Sequence, residues 1–144
     1  MCKGGGDLKF DRASRGERWG VASDEELVAA VKQPNTIWLD VRNDQEVADA
    51  PAKFPGVPAH SMKQCKVTMF GAKILESKAA ELLPDKEANI IVFCAGGGRA
   101  EVAKNALVKM GYTGSITNGG MPEDILPILP ELVTNKGGGG GKCC

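Results

Sequence analysis

The stretch Asn89-Ile90-Ile91-Val92-Phe93-Cys94-Ala95-Gly96-Gly97-Gly98-Arg99-Ala100 decides how this chain reads. Ile90 to Phe93 is apolar without alternation, as expected of a parallel strand whose two faces are both covered. Three consecutive glycines then break the pattern. From Arg99 to Met110, the residues Val102, Ala103, Ala106, Leu107 and Met110 share one helical face, and Gly111 stops the helix. Strand, tight loop and helix make half of a βαβ unit. In open parallel sheets ligands bind beyond the carboxyl ends of the strands, so Cys94 to Ala100 is the first place to look for chemistry.

The rest of the chain supports that reading. Upstream, Ser23-Asp24-Glu25-Glu26 is a capping box, followed by Leu27, Ala30 and Val31 at helical spacing. Pro34-Asn35 ends that helix. Thr36 to Val41 reads as a strand, Glu46 to Ala50 as a short helix stopped by Pro51, and Pro51 to Val67 as loop with at most a short strand. Ala72 to Leu83 carries a helical stripe of Ile74, Leu75, Ala79, Leu82 and Leu83. Downstream, Gly114 to Asn118 reads as a weaker strand, and Pro122 to Ile128 as a final turn or two of helix. Strands alternating with helices predict an α/β fold with a parallel sheet.

The chain has 144 residues, with 42% hydrophobic and 25% charged, the profile of a single globular domain. Lys+Arg and Asp+Glu both total 18, so the net charge is zero and the basic footprint of a nucleic-acid binder is absent. No apolar run reaches the roughly 18–20 residues of a membrane span. The first residues, Met1 to Gly6, lack the apolar stretch of a secretory signal, so the cytoplasm is the expected compartment. Of 19 glycines, eight lie in the tracts Gly4–Gly6 and Gly137–Gly141. The expected organisation is a flexible tail over residues 1–10, a folded domain over 11–134, and a flexible Gly-rich tail over 135–144 ending in Cys143-Cys144. Five cysteines, an odd number, argue against a disulfide framework. There is no Cys-x-x-Cys pair and His60 is the only histidine, so a four-ligand zinc site is not expected.

A cysteine placed between a buried strand and a Gly-rich helix start has chemical meaning. Successive N–H groups in such a loop can converge on an anion, and the helix N-terminus adds a partial positive charge. The thiolate, which is the nucleophile, is thereby favoured, with a pKa expected below the free value of about 8.5. Arg99 adds a fixed positive charge at the rim. The competing reading is a buried structural cysteine ahead of a phosphate cradle. Neither a Walker A pattern nor Gly-x-Gly-x-x-Gly fits, because Glu101 stands at the third glycine position.

The motifs together resemble the rhodanese superfamily. Asp40-Val41-Arg42-Asn43-Asp44-Gln45-Glu46 is similar to its Asp-Val-Arg-x-x-x-Glu signature. Phe54-Pro55-Gly56-Val57 resembles its His-Ile-Pro-Gly-Ala segment, with Phe54 in place of His. Cys94-x-x-Gly97-x-Arg99 resembles its active-site loop, and Gly111-Tyr112 and Gly119-Gly120-Met121 its late glycine segments. The resemblance implies a rhodanese-like three-layer α/β/α fold around a small central parallel sheet. It implies a sulfurtransferase in which Cys94 takes sulfane sulfur from thiosulfate or a thiol persulfide, holds it as a persulfide, and passes it to cyanide or a thiol. Ala95, Gly96, Gly97, Gly98, Arg99 and Ala100 would bind the substrate and hold the negative persulfide. No metal or organic cofactor is implied. Ala100 stands where Ser or Thr is common in the family, which removes one hydroxyl donor. Two alternatives stay open. One is a non-enzymatic sulfur carrier or partner-binding module of the same fold. The other is an oxyanion enzyme of the phosphatase or arsenate-reductase kind, whose loops resemble Cys-x5-Arg; here only four residues separate Cys94 from Arg99.

Asp40, Arg42 and Glu46 are expected to brace the structure, with Arg42 and Glu46 pairing across the turn after the strand. His60 is a candidate general base or, more simply, a loop histidine. Cys65 is flanked by Lys63 and Lys66, which would favour its thiolate, and reads as a resolving thiol that takes sulfur from Cys94 or as a plain loop cysteine. Membrane association would follow only from lipidation of Cys2 or of Cys143 and Cys144; a thiol arm is the other functional reading of that terminus.

Overall fold

The structure, a computed structural model, describes residues 12–129. The two tails, with Cys2, Cys143 and Cys144, lie outside the described residues. The order of elements is α1 (Arg12–Trp19), α2 (Asp24–Val31), β1 (Ile37–Asp40), α3 (Asp44–Asp49), β2 (Met62–Gln64), α4 (Lys73–Leu82), β3 (Ile90–Phe93), α5 (Gly98–Lys109), β4 (Ile116–Gly120) and α6 (Pro122–Ile125). Single 3-10 turns occupy Ala59–Ser61 and Leu126–Ile128.

The four strands form one parallel sheet in the order β2-β1-β3-β4. From β1 the chain steps outward to β2, returns over β1 through α4 to β3, and continues the other way to β4. The connections leaving β1 and β3 therefore diverge, which opens a crevice between their carboxyl ends. Val41 follows β1 at that crevice and Cys94 follows β3.

Both faces of the sheet are covered. On one side Leu39, Val41, Ile90 and Val92 meet Leu75 and Ala79 of α4 and Ala103 and Leu107 of α5. On the other, Trp38, Ile91 and Phe93 meet Leu27 and Ala30 of α2 and Ile125 of α6. All four residues of β3 are fully buried, which explains why that strand carries no alternation. Phe54 belongs to this second core: its ring lies 5.0 Å from Trp38 and 5.2 Å from Phe93. At this position the chain uses an aromatic packing residue, not a polar one.

The expected elements are present, with ends displaced by one or two residues in most cases. Three points differ. The helix α1 precedes the first expected element. The short helix α3 starts two residues early, because Asn43 and Glu46 form a capping box of their own. The last strand runs two residues later than its expected Gly114–Asn118 span, to Gly120.

Candidate active site

Cys94 leaves β3 still tied to the sheet, its N–H donating to the Gly120 carbonyl at 2.8 Å. Its side chain is fully buried. The chain then turns through Ala95 and Gly96 to Gly97, the N-cap of α5. Gly97 has φ +116°, in the left-handed region, and a Cβ there would sit 2.4 Å from Val21 Cγ2. Only glycine meets both conditions. The Gly97 N–H donates to Cys94 Sγ at 3.0 Å. The Gly97 carbonyl accepts from Glu101 N–H at 3.0 Å and from Asn118 Nδ2 at 2.9 Å.

Because the first intrahelical bond of α5 starts at Glu101, the N–H groups of Gly98, Arg99 and Ala100 have no carbonyl one turn back to bond. They form the positive end of a 12-residue helix beside the thiol. At Gly98 the packing is close: a Cβ there would lie 2.8 Å from Sδ of the exposed Met69 side chain and 3.1 Å from the Trp19 ring, so Met69 would have to move aside. These two side chains form the wall over the loop.

Arg99 does not present a free charge. Its Nη1 and Nη2 donate to Glu46 Oε1 and Oε2 at 2.7 and 2.9 Å, a two-point ion pair. The hydrogen bond from Arg99 holds the Glu46 carboxyl down at about 2. In return Glu46, and after it Cys94, raise the guanidinium further above its ordinary value. The expected Arg42–Glu46 pair is not formed. Arg42 folds back onto Asp40, with Nε and Nη2 donating at 3.0 and 2.9 Å and its N–H capping Asp40 Oδ1 at 3.0 Å. The hydrogen bond with Asp40 keeps Arg42 fully charged although it is buried. The reason is local: residues two apart on an extended chain share a face, whereas Glu46 already faces α5 from the first turn of α3.

The sequence reading missed the contribution of α1. Arg15, 5% exposed, donates to the Gly96 carbonyl at 3.1 Å and pairs with Asp124 Oδ2 and Oδ1 at 2.6 and 3.0 Å. Trp19 adds its ring over Gly98, and its carbonyl accepts from Asn118 Nδ2. Nothing in Arg12–Trp19 announces this, since the segment has no apolar stripe and contains Gly16.

The remaining candidates lie elsewhere. Cys65 is buried on the α4 side of the sheet, and burial pushes its thiol up; the charge of Lys78 offsets this only in part. The expected help from Lys63 and Lys66 is absent. Asp40 pairs with both Gln64 and Phe93, so Cys65 and Cys94 stand two strands apart. At about 4.8 Å per strand spacing their Cα atoms exceed the ~7 Å limit for a disulfide. His60 is exposed on the 3-10 turn before β2, at the opposite end of the sheet from Cys94. There it lines a cavity of about 620 Å³ together with Lys32, Trp38, Val57 and Leu129. Cys94 is not among the residues lining that cavity. Among the described residues no cluster of three His, Cys, Asp or Glu side chains could hold a metal, and no helix is long and apolar enough to cross a membrane.

Comparison with solved structures finds a chain described as rhodanese with anions from E. coli, 27% identical, with a TM-score of 0.44, covering 62% of this chain and 91% of its own. Comparison with curated proteins finds no significant match. The family model described as Rhodanese-like domain matches residues 23–124, which spans both core faces and the whole Cys94 loop. The chain belongs to the rhodanese-like domain family.

Proposed function

We propose that the protein is a sulfurtransferase of the thiosulfate sulfurtransferase type, working through a persulfide on Cys94. The observation that carries this reading is the 3.0 Å hydrogen bond from Gly97 N–H to Cys94 Sγ, at the N-terminus of α5. A donor aimed at sulfur from the N-cap of a helix is the arrangement that a thiolate and its persulfide both need.

In the first half-reaction the Cys94 thiolate attacks the outer sulfur of thiosulfate. The sulfur–sulfur bond of the donor breaks and sulfite leaves with the bonding pair. With a thiol persulfide as donor, the thiolate of that donor leaves instead. In the second half-reaction cyanide attacks the outer sulfur of the Cys94 persulfide, thiocyanate departs, and the Cys94 thiolate is restored; a thiol acceptor carries the sulfur away as its own persulfide. No net oxidation or reduction of the protein occurs. Ala95, Gly96, Gly97, Gly98 and Ala100 contribute backbone to the anion site, and Arg99 closes the loop onto α3 through Glu46. The four-residue spacing between Cys94 and Arg99 favours sulfur over a tetrahedral oxyanion.

Steady-state kinetics tests this reading. Varying donor and acceptor together is expected to give parallel double-reciprocal lines, the mark of a covalent ping-pong sequence. Intersecting lines, or no thiocyanate formed above a Cys94→Ser background, would reject it in favour of a passive module of the same fold.

A further inference from the structure

The structure assigns Arg15 a role in the site: it is a positioning residue that orients the Gly96–Gly97 peptide toward the Cys94 thiol. Arg15 lies on α1, outside residues 23–124 matched by the family model. One peptide unit joins Arg15 to the thiol. Its carbonyl, on Gly96, accepts from Arg15 Nη1 at 3.1 Å. Its N–H, on Gly97, donates to Cys94 Sγ at 3.0 Å. The chain has no cis peptide among the described residues, and in a planar trans peptide the C=O and N–H point in opposite directions. A cation held on the carbonyl side therefore fixes the N–H on the sulfur side. It also draws electron density toward the oxygen, which strengthens the N–H as a donor.

The loop needs such a device. A peptide between two glycines turns over easily, because neither end carries a Cβ to resist it. Steric contact does not hold Gly96: a Cβ there would meet only the Trp19 ring, at an ordinary 3.7 Å. A reversed peptide would aim the Gly96 carbonyl oxygen at the thiolate. Arg15 blocks that reversal, and Asp124 holds Arg15 with two hydrogen bonds of 2.6 and 3.0 Å. Asp124 is itself anchored by Met121 N–H at 3.0 Å. The other charged groups at this end of the sheet are engaged elsewhere: Arg99 with Glu46, Arg42 with Asp40, Glu101 with Asn118, while Glu123 acts on Arg42.

The test is the pH titration of the Cys94 thiolate by its ultraviolet absorbance, in the full chain, as the difference between each protein and its Cys94→Ser counterpart. Three proteins are compared with wild type: Arg15→Met, Asp124→Asn, and the double variant Arg15→Met with Asp124→Asn. Arg15→Met is expected to raise the titration midpoint, so that the thiolate fraction well below the wild-type midpoint falls about tenfold, the order of one hydrogen bond to a charged group. Asp124→Asn keeps the donor on Gly96 and is expected to shift the midpoint by less than a third as much, although it too loses the ion pair. The double variant leaves no unpaired buried carboxylate, and it replaces Arg15→Met in the comparison if that variant does not fold. An unmoved midpoint in the Arg15 variants, or an equal shift in Asp124→Asn alone, would reduce Arg15 to a structural brace and overturn the inference. The inference rests on Cys94 being the reacting thiol, but the titration reads that thiol whether or not it carries sulfur. A chain that loads no sulfur yet shows the Arg15 shift would therefore refute the function and keep the positioning role.

Discussion

Glu46 and Arg99, 53 residues apart, meet in a two-point ion pair across the crevice between β1 and β3. Glu46 sits on the helix that follows β1, and Arg99 on the helix that follows β3. The pair thus closes the opening that the sheet topology creates, directly beside Cys94. Its hydrogen bonds hold the Glu46 carboxyl at about 2.

A carboxyl lowered from 4.5 to about 2 stabilises the folded state above the unfolded value, and this contribution is lost as pH falls from about 4.5 through about 2. Glu46→Gln is expected to lower stability by about 1 kcal/mol near neutral pH, a value discounted because the carboxylate is one-third exposed. Urea unfolding at several pH values checks this. The gap between wild type and variant should narrow below about pH 4.5 and close only near pH 2; a gap constant with pH would contradict it.

Asp40 and Arg42 form the more deeply buried pair, with side chains 6% and 7% exposed. Asp40→Ala strands a buried guanidinium and should cost about 3–5 kcal/mol. Cys94 in the fraction that stays folded is expected to load sulfur at a near-normal rate, since neither residue is bonded to the loop. Denaturant unfolding combined with donor-loading kinetics separates the two effects.

Gly97→Ala forces a side chain into the left-handed region and onto Val21 Cγ2. The strain alone is worth about 1–3 kcal/mol. Relief by shifting the peptide would break the hydrogen bond to Sγ, so loading of Cys94 should fall by about tenfold or more. Loading at the wild-type rate in a folded Gly97→Ala protein would show that this bond is dispensable.

Cys65→Ala should leave sulfur transfer unchanged and cost about 1–2 kcal/mol in stability, from the small cavity it makes. Peptide mass spectrometry after mild oxidation should show no Cys65–Cys94 linkage, because β1 lies between their strands. Detection of that linkage in folded protein would require the sheet to rearrange.

Much of the molecule was legible in the sequence because local signals and burial agree there. The run Ile90–Phe93 followed by Cys94 and three glycines announces a covered strand and a tight turn into a helix, and the structure has both. The capping box at Ser23 is formed as written. What was not legible depends on contacts distant in sequence. Asp40, Arg42, Glu46 and Arg99 offer several pairings of opposite charge; only the fold, which brings α5 against α3, selects Glu46 with Arg99. Arg15 and Asp124 are 109 residues apart. Ala13 and Trp19 are the only apolar residues of Arg12–Trp19, too few to mark a buried helix, and its place in the site comes from the contacts of Arg15 and Trp19. Lys66 illustrates the reverse error. It is adjacent to Cys65 in sequence, but successive residues of an extended chain face opposite ways, and burial decides the state of that thiol.

The most direct measurement of the central claim is intact-protein mass after incubation with thiosulfate and, separately, with glutathione persulfide, for wild type and Cys94→Ser. The account predicts a gain of one sulfur, about 32 Da, on wild type only, reversed by cyanide, as a covalent intermediate requires. A wild-type chain with a free Cys94 thiol and no adduct from either donor would contradict it.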